Sequence, residues 1–210
     1  YPWPPHWFGI LLTGRGRFDE GIEHLRRARD LDSLSPIISV AVGSPYHFAR
    51  RYDEALKHYQ RVVETDPGFA PAHYYIGLTY EQVRDYERAL YHFDRCSNLA
   101  GKTSFFFAAL THSQAVSGHR DEARRGLADL QSQTAHRYIS PMNFALVQFA
   151  LGDIDDGLHN LELSFAERSG QLFLLPVEPR FDVVRDDPRF RELAERHGLP
   201  PSISATLPPP

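Results

Sequence analysis

The sequence predicts an all-α solenoid of five antiparallel helical hairpins, followed by a capping segment and a proline-rich tail. Three observations carry that prediction. A short acidic block recurs as Phe18-Asp19-Glu20-Gly21-Ile22, Tyr52-Asp53-Glu54-Ala55-Leu56, Tyr86-Glu87-Arg88-Ala89-Leu90, Arg120-Asp121-Glu122-Ala123-Arg124 and Ile154-Asp155-Asp156-Gly157-Leu158, so its small residue falls at 21, 55, 89, 123 and 157, every 34 residues. Four residues later stands a large apolar side chain: Leu25, Tyr59, Phe93, Leu127 and Leu161. Twelve residues before the small residue stand Gly9, Gly43, Gly77, Thr111 and Ala145, each preceded by an apolar residue.

These spacings dictate the elements in order. Apolar residues three and four apart form one stripe on a helix. Small residues on facing helices let their axes approach. Gly16, Arg50, Arg84, Gly118 and Gly152 precede the acidic blocks and mark the turns. The acidic pairs then open each second helix, where the dipole is positive. The five repeats are read as about 2–35, 36–69, 70–103, 104–137 and 138–168. In the second repeat Pro45 sits inside the first helix, where it removes a backbone donor and crowds the preceding turn. It predicts a kink or a late start, and with it either an opened groove wall or a local irregularity. Residues 169–198 read as short helices covering the last hairpin, since an open solenoid end needs a polar cap. Residues 199–210 are proline-rich and read as extended.

The 34-residue period, with Ile76-Gly77-x-x-Tyr80, Ala89-x-x-x-Phe93 and the closing Asp66-Pro67, resembles the tetratricopeptide repeat (TPR). The fourth and fifth copies depart, with Thr111 and Ala145 for the glycine and Gln114 and Gln148 for the tyrosine. The resemblance spans about residues 3–168 and implies a right-handed superhelix. The run Pro179-Arg180-Phe181-Asp182, Asp186-Asp187-Pro188-Arg189-Phe190 and Gly198-Leu199-Pro200 is similar to the close of TPR modules in bacterial multidomain regulators, which implies a sensory or scaffolding role.

Composition narrows the function. A net charge of −4 leaves no whole-protein basic field for nucleic acid or anionic lipid. No apolar run approaches the roughly 18 residues of a membrane helix. The single cysteine, Cys96, excludes an internal disulfide and a thiolate cage. It leans towards a reducing, cytoplasmic setting, although an extracellular helical repeat protein is equally free of disulfides. The first residue is Tyr1 and the opening is unlike a signal peptide, which reads as a processed product or a fragment. No nucleophile elbow, zinc-protease pair or phosphate loop appears. His24, His58 and His92 form a ladder at the repeat spacing. Equivalent residues of adjacent repeats lie on the order of 10 Å apart, too far to share one ion. No catalytic residue, metal or cofactor is therefore expected.

The resemblance implies that the first helix of each hairpin lines a concave groove. Its inward positions are Trp3, His6 and Ile10, then Val40, His47 and Phe48, then Tyr74, Leu78, Glu81 and Gln82, then Phe105 and His112, and finally Met142, Leu146 and Phe149. Lysine, arginine and asparagine are missing from this set, which argues against the carboxylate clamp of chaperone-binding relatives. An apolar groove fits an amphipathic helix or an extended segment of a protein partner. The alternative expectation is self-assembly into head-to-tail oligomers or filaments, through Trp3, Trp7 and Phe8 at the open first helix and Ile203 and Leu207 in the tail.

Overall fold

The computed structural model describes residues 1–101 and 103–199. Two α-helices build each of four hairpins: α1 (Trp3–Gly14) with α2 (Phe18–Leu31), α6 (Ala70–Gln82) with α7 (Tyr86–Leu99), α8 (Ser104–Val116) with α9 (Arg120–Gln133), and α10 (Pro141–Leu151) with α11 (Ile154–Ala166). The second hairpin pairs a broken first helix, α3 (Pro36–Ala41) and α4 (Ser44–Phe48), with α5 (Tyr52–Thr65). After α11 come two 3₁₀ turns, Leu172–Leu174 and Pro179–Val184, and a last helix, α12 (Pro188–Arg196). The expected proline-rich tail, with Ile203 and Leu207, lies outside the described residues. Among those residues no helix is long and apolar enough to cross a membrane.

The repeat positions have the physical roles their sizes demand. A Cβ added at Gly77 would come within 2.9 Å of the Phe93 ring, and one at Gly43 within 2.3 Å of Tyr59. The glycines are thus the sites where the first helix lies against the large residue of the second. The turns have a common device too. Gly16, Arg50, Arg84, Gly118 and Gly152 all adopt positive φ, between 61° and 91°. A left-handed residue is how a helix commonly ends, and two of the five repeats place an arginine there.

The two helices of a hairpin differ in pattern. In α5 the buried residues are Tyr52, Ala55, Tyr59 and Val62, a single stripe. In α10 every residue except Ala150 is buried. The first helices form an inner layer in contact from α1 to α4, α3 to α6, α6 to α8 and α8 to α10, and the second helices fill the spaces behind it.

Pro45 breaks the helix of the second repeat into α3 and α4, as its chemistry requires, and then serves in the first turn of α4. The break opens no gap in the wall. Ser44, Pro45, Tyr46, His47 and Phe48 are all buried. The reading of an opened groove wall is corrected to a local irregularity, because the next hairpin and the C-terminal segment cover the break.

Candidate functional site: a groove and its resident segment

The inner layer curves around the chain's own residues 171–185. A Cβ at Gly14, in α1, would meet Phe173 at 2.6 Å. Phe181 meets Phe149, in α10, with ring centroids 6.0 Å apart. Eight residues of strap therefore reach from the first hairpin to the last. In 3₁₀ and turn geometry eight residues span roughly 16–25 Å. Five helices in a flat row at 8–10 Å spacing would place α1 and α10 roughly 32–40 Å apart. A curved layer brings its two ends within that reach.

Two anchors hold the strap. The first is a buried ion pair. Arg180 donates from Nε to Glu178 Oε1 and from Nη2 to Glu178 Oε2, both at 3.0 Å, and from Nη2 to the Tyr74 hydroxyl at 3.4 Å. Burial alone would raise the Glu178 carboxyl, but the Arg180 charge and its hydrogen bonds overcome that, with help from His47, and hold it at about 2. The second is at the turn after α4. Arg50 Nη2 donates to both carboxylate oxygens of Asp182, at 2.9 and 2.7 Å. Arg185 braces the strap internally, donating from Nε to Asp182 at 2.7 Å and from Nη2 to the carbonyls of Leu175 and Glu178 at 3.1 and 2.8 Å. Left-handed backbone at Arg50 thus ends α4 and aims a guanidinium along the groove.

The groove residues named from the sequence separate into three groups. Phe48, Tyr74, Leu78, Phe105, Met142 and Leu146 surround a cavity of about 70 Å³ against Leu174, Glu178, Arg180 and Phe181. Glu81, Gln82, His112 and Phe149 line a cleft of about 320 Å³ on the other side of the strap, with Arg50, Arg180 and Asp182. There His112 Nδ1 lies 3.2 Å from Glu81 Oε2, both buried. The remaining five lie elsewhere or deeper. Trp3 stands at the exposed start of α1, and His6 is buried between the edges of Trp3 and Trp7. Ile10 packs on Leu25, Ala41 and Val42, and Val40 belongs to the interhelical core. His47 lies behind the strap, its Nδ1 3.0 Å from Thr79 Oγ1. Because the Thr79 hydroxyl donates to Tyr75 O, it accepts from His47 Nδ1–H. Nε2 then has no hydrogen-bond partner among the described residues, and burial foremost holds this imidazole at about 4.

Sequence reasoning missed Arg50, Glu178, Arg180 and Asp182, and placed the whole of 169–198 over the last hairpin. Both the strap and α12 lie against that hairpin, with Leu175, Phe181, Val184, Phe190 and Leu193 in one cluster with Leu158, Leu161 and Phe165, but the strap also runs on to α1 and α6. One signal was present: Leu172-Phe173-Leu174-Leu175 is too apolar for the polar cap of a solenoid end. Of the self-association candidates, Trp3, Trp7 and Phe8 are exposed on α1. The His24, His58 and His92 rings pack edge-on against Phe8 or stack on Tyr46 and Tyr80. Among the described residues no three histidine, cysteine or acidic side chains converge as a metal site.

Residues 50–83 match the family model described as TPR repeat. No curated protein matches the sequence. The chain is similar in structure to a thermophilic TPR protein of Thermus thermophilus, with a TM-score of 0.64 at 14% identity over 94% of this chain and 97% of that one. It is also similar to a tetratricopeptide repeat protein from Parabacteroides merdae, with a TM-score of 0.58 at 20% identity over 92% of this chain and 76% of that one. At those identities the likeness is one of fold: an all-α solenoid of TPR-type hairpins.

Proposed function

We propose that this solenoid is a non-catalytic interaction scaffold whose concave groove takes a polypeptide segment of a protein partner, with residues 171–185 as its resident occupant. The observation behind this reading is that the groove already holds a peptide with anchors: a buried arginine beside Tyr74, an aromatic ring against Phe149, and an aspartate on Arg50. A partner segment presenting the same features, an arginine two residues before an acidic side chain with an aromatic between them, would compete for the same walls. TPR proteins generally bind other proteins, and the apolar character of Phe48, Leu78, Phe105 and Met142 suits such a segment better than a charged small molecule.

The test is displacement. A labelled peptide spanning residues 171–187 is titrated, by fluorescence anisotropy, into the native chain and into an Arg180→Ala/Phe181→Ala variant whose strap is loosened. Saturable binding to the variant, and weak or no binding to the native chain, is the expected result. No binding to a variant that keeps its native helical content would remove the groove as the peptide site.

A second reading, self-association, draws on α1. Trp7, Phe8 and Leu11 are 59%, 50% and 52% exposed. One period later their equivalents Ala41, Val42 and Pro45 are buried. The edge of α1 is thus the stacking face of the array without a hairpin on it. Contact of this edge with the same edge of a second copy yields a closed pair, and contact with the other end of a second copy yields the head-to-tail oligomer. Light scattering before and after Trp7→Ser/Phe8→Ser decides it: an unchanged mass, monomeric in both, removes this reading.

A further inference from the structure

A cleft of about 340 Å³ opens on the outer side of the array, between the first and second hairpins and away from the groove. Its lining includes Arg29, Arg61, His58, Ser33, Ser39 and Thr65, the last with its hydroxyl donating to Arg61 O at 3.0 Å. Leu34 and Val62 supply an apolar part.

The repeats explain why a cleft exists here. One period later Ser39 becomes His73, Ser33 becomes Pro67 and His58 becomes His92. In that interface His73 Nδ1 lies 3.0 Å from His92 Nδ1, and its Nε2 lies 3.1 Å from Pro67 O. The His73 ring therefore bridges the two positions that face the cleft in the preceding interface, and fills the space. Two periods on, Phe107 stands at the same position and packs against the cluster that contains Leu130, the equivalent of Val62. At position 39 a serine leaves the space empty.

The same comparison explains its charge. Arg26 and Arg29 become Gln60 and Val63 in the next repeat. Arg26 donates to the Tyr46 hydroxyl at 2.7 Å, and the Tyr46 ring stacks on His58 at 5.1 Å. Arg29 lies 3.6 Å from the carboxylate of Asp30, which is largely exposed. Asp66 brings a carboxylate to the cleft wall, where it accepts the Gly68 amide at the rim. Burial first, then the charges of Arg61, Arg29 and Arg26, hold His58 at about 4, well below the usual imidazole range, as a cationic surrounding requires.

The geometry points to a phosphoryl-binding site: the cleft between α2 and α5 takes a phosphomonoester with a short apolar body. Two arginines and two serine hydroxyls offer more donors than the two oxygens of a carboxylate can use, and match the three oxygens of a phosphomonoester, while the Thr65 hydroxyl already donates to Arg61 O. The volume is that of a small-ligand site. The group arrives either on a phosphorylated side chain of a partner or on a free small molecule.

The experiment titrates the full chain with phenyl phosphate, benzoate and a phosphoserine peptide flanked by leucine, following the His58 ring resonances by NMR. Saturable shifts with phenyl phosphate, at least about tenfold tighter than with benzoate, are expected. Arg61→Gln should weaken binding by about tenfold or more. Ser39→His restores the filling found one repeat later, so it should abolish binding while the fold is kept. Tighter binding of the peptide assigns the site to a phosphorylated partner, and tighter binding of phenyl phosphate assigns it to a small phosphomonoester. Undiminished binding by Ser39→His, equal binding of benzoate, or no saturable shift in the native chain overturns the proposal.

Discussion

At the scale of single residues, the repeat positions make opposite demands that mutation can separate. Arg84 holds φ at 61° on an exposed turn, a conformation a β-carbon opposes. Arg84→Gly removes that strain at some cost in unfolded-state entropy, so thermal denaturation should show a gain of about 0.5–1 kcal/mol. A loss would mean that the arginine side chain contributes more than its backbone costs. Ala89 is fully buried between α6 and α7. Ala89→Leu should overpack that contact and lower stability by about 1–3 kcal/mol in urea titration. Both positions were legible in the sequence, because size at a fixed period reports what the neighbouring helix permits. The function of Arg50 was not. Its Asp182 partner lies 132 residues away, and a turn position says nothing about where a long side chain will point.

At the scale of elements, hairpins and strap differ in how they are encoded. Each hairpin announces itself because local periodicity and packing agree. The strap has two short 3₁₀ turns with no repeat to set against and no stripe, so only its apolar content marked it. What holds it is partly ionic, and acid should therefore release it. Glu178 sits at about 2, below the roughly 4.3 of a free glutamate, so its contribution is full above about pH 4.5 and is lost as pH falls towards 2. His47, His58 and His92 sit at about 4, below the usual 6.5, chiefly through burial, so they cost stability as pH falls from about 6.5 to 4, where only the unfolded chain gains protons. Urea midpoints should accordingly decline in two successive stages on acidification from pH 7. A flat profile between pH 6.5 and 4.5 would show that the imidazoles charge freely in the folded protein.

At the scale of the whole molecule, a solenoid joins each repeat only to its neighbours, and its unfolding can proceed from an end. Here Arg50–Asp182, Arg180–Tyr74 and Phe173 against Gly14 tie the first three hairpins to the segment beyond the fifth. Asp182→Asn together with Arg180→Ala should uncouple them. Hydrogen exchange in α1 and α2 should then rise by roughly tenfold or more, while α10 and α11 keep their protection. Uniform acceleration across all five hairpins would instead mean that the array unfolds as one unit regardless of the strap.

The strap also changes what the molecule does under load. An array held only by neighbour contacts stretches like a coil spring, each interface opening by a small rotation. A chord fixed between α1 and α10 cannot lengthen in that way, because eight residues of 3₁₀ and turn backbone have little slack. Pulling the ends of the helical array apart must first draw Phe181 and Arg180 out of their walls in shear, with several contacts loaded together. The protein should therefore resist the first few ångströms of extension stiffly, yield once, and only then behave as a soft elastic element.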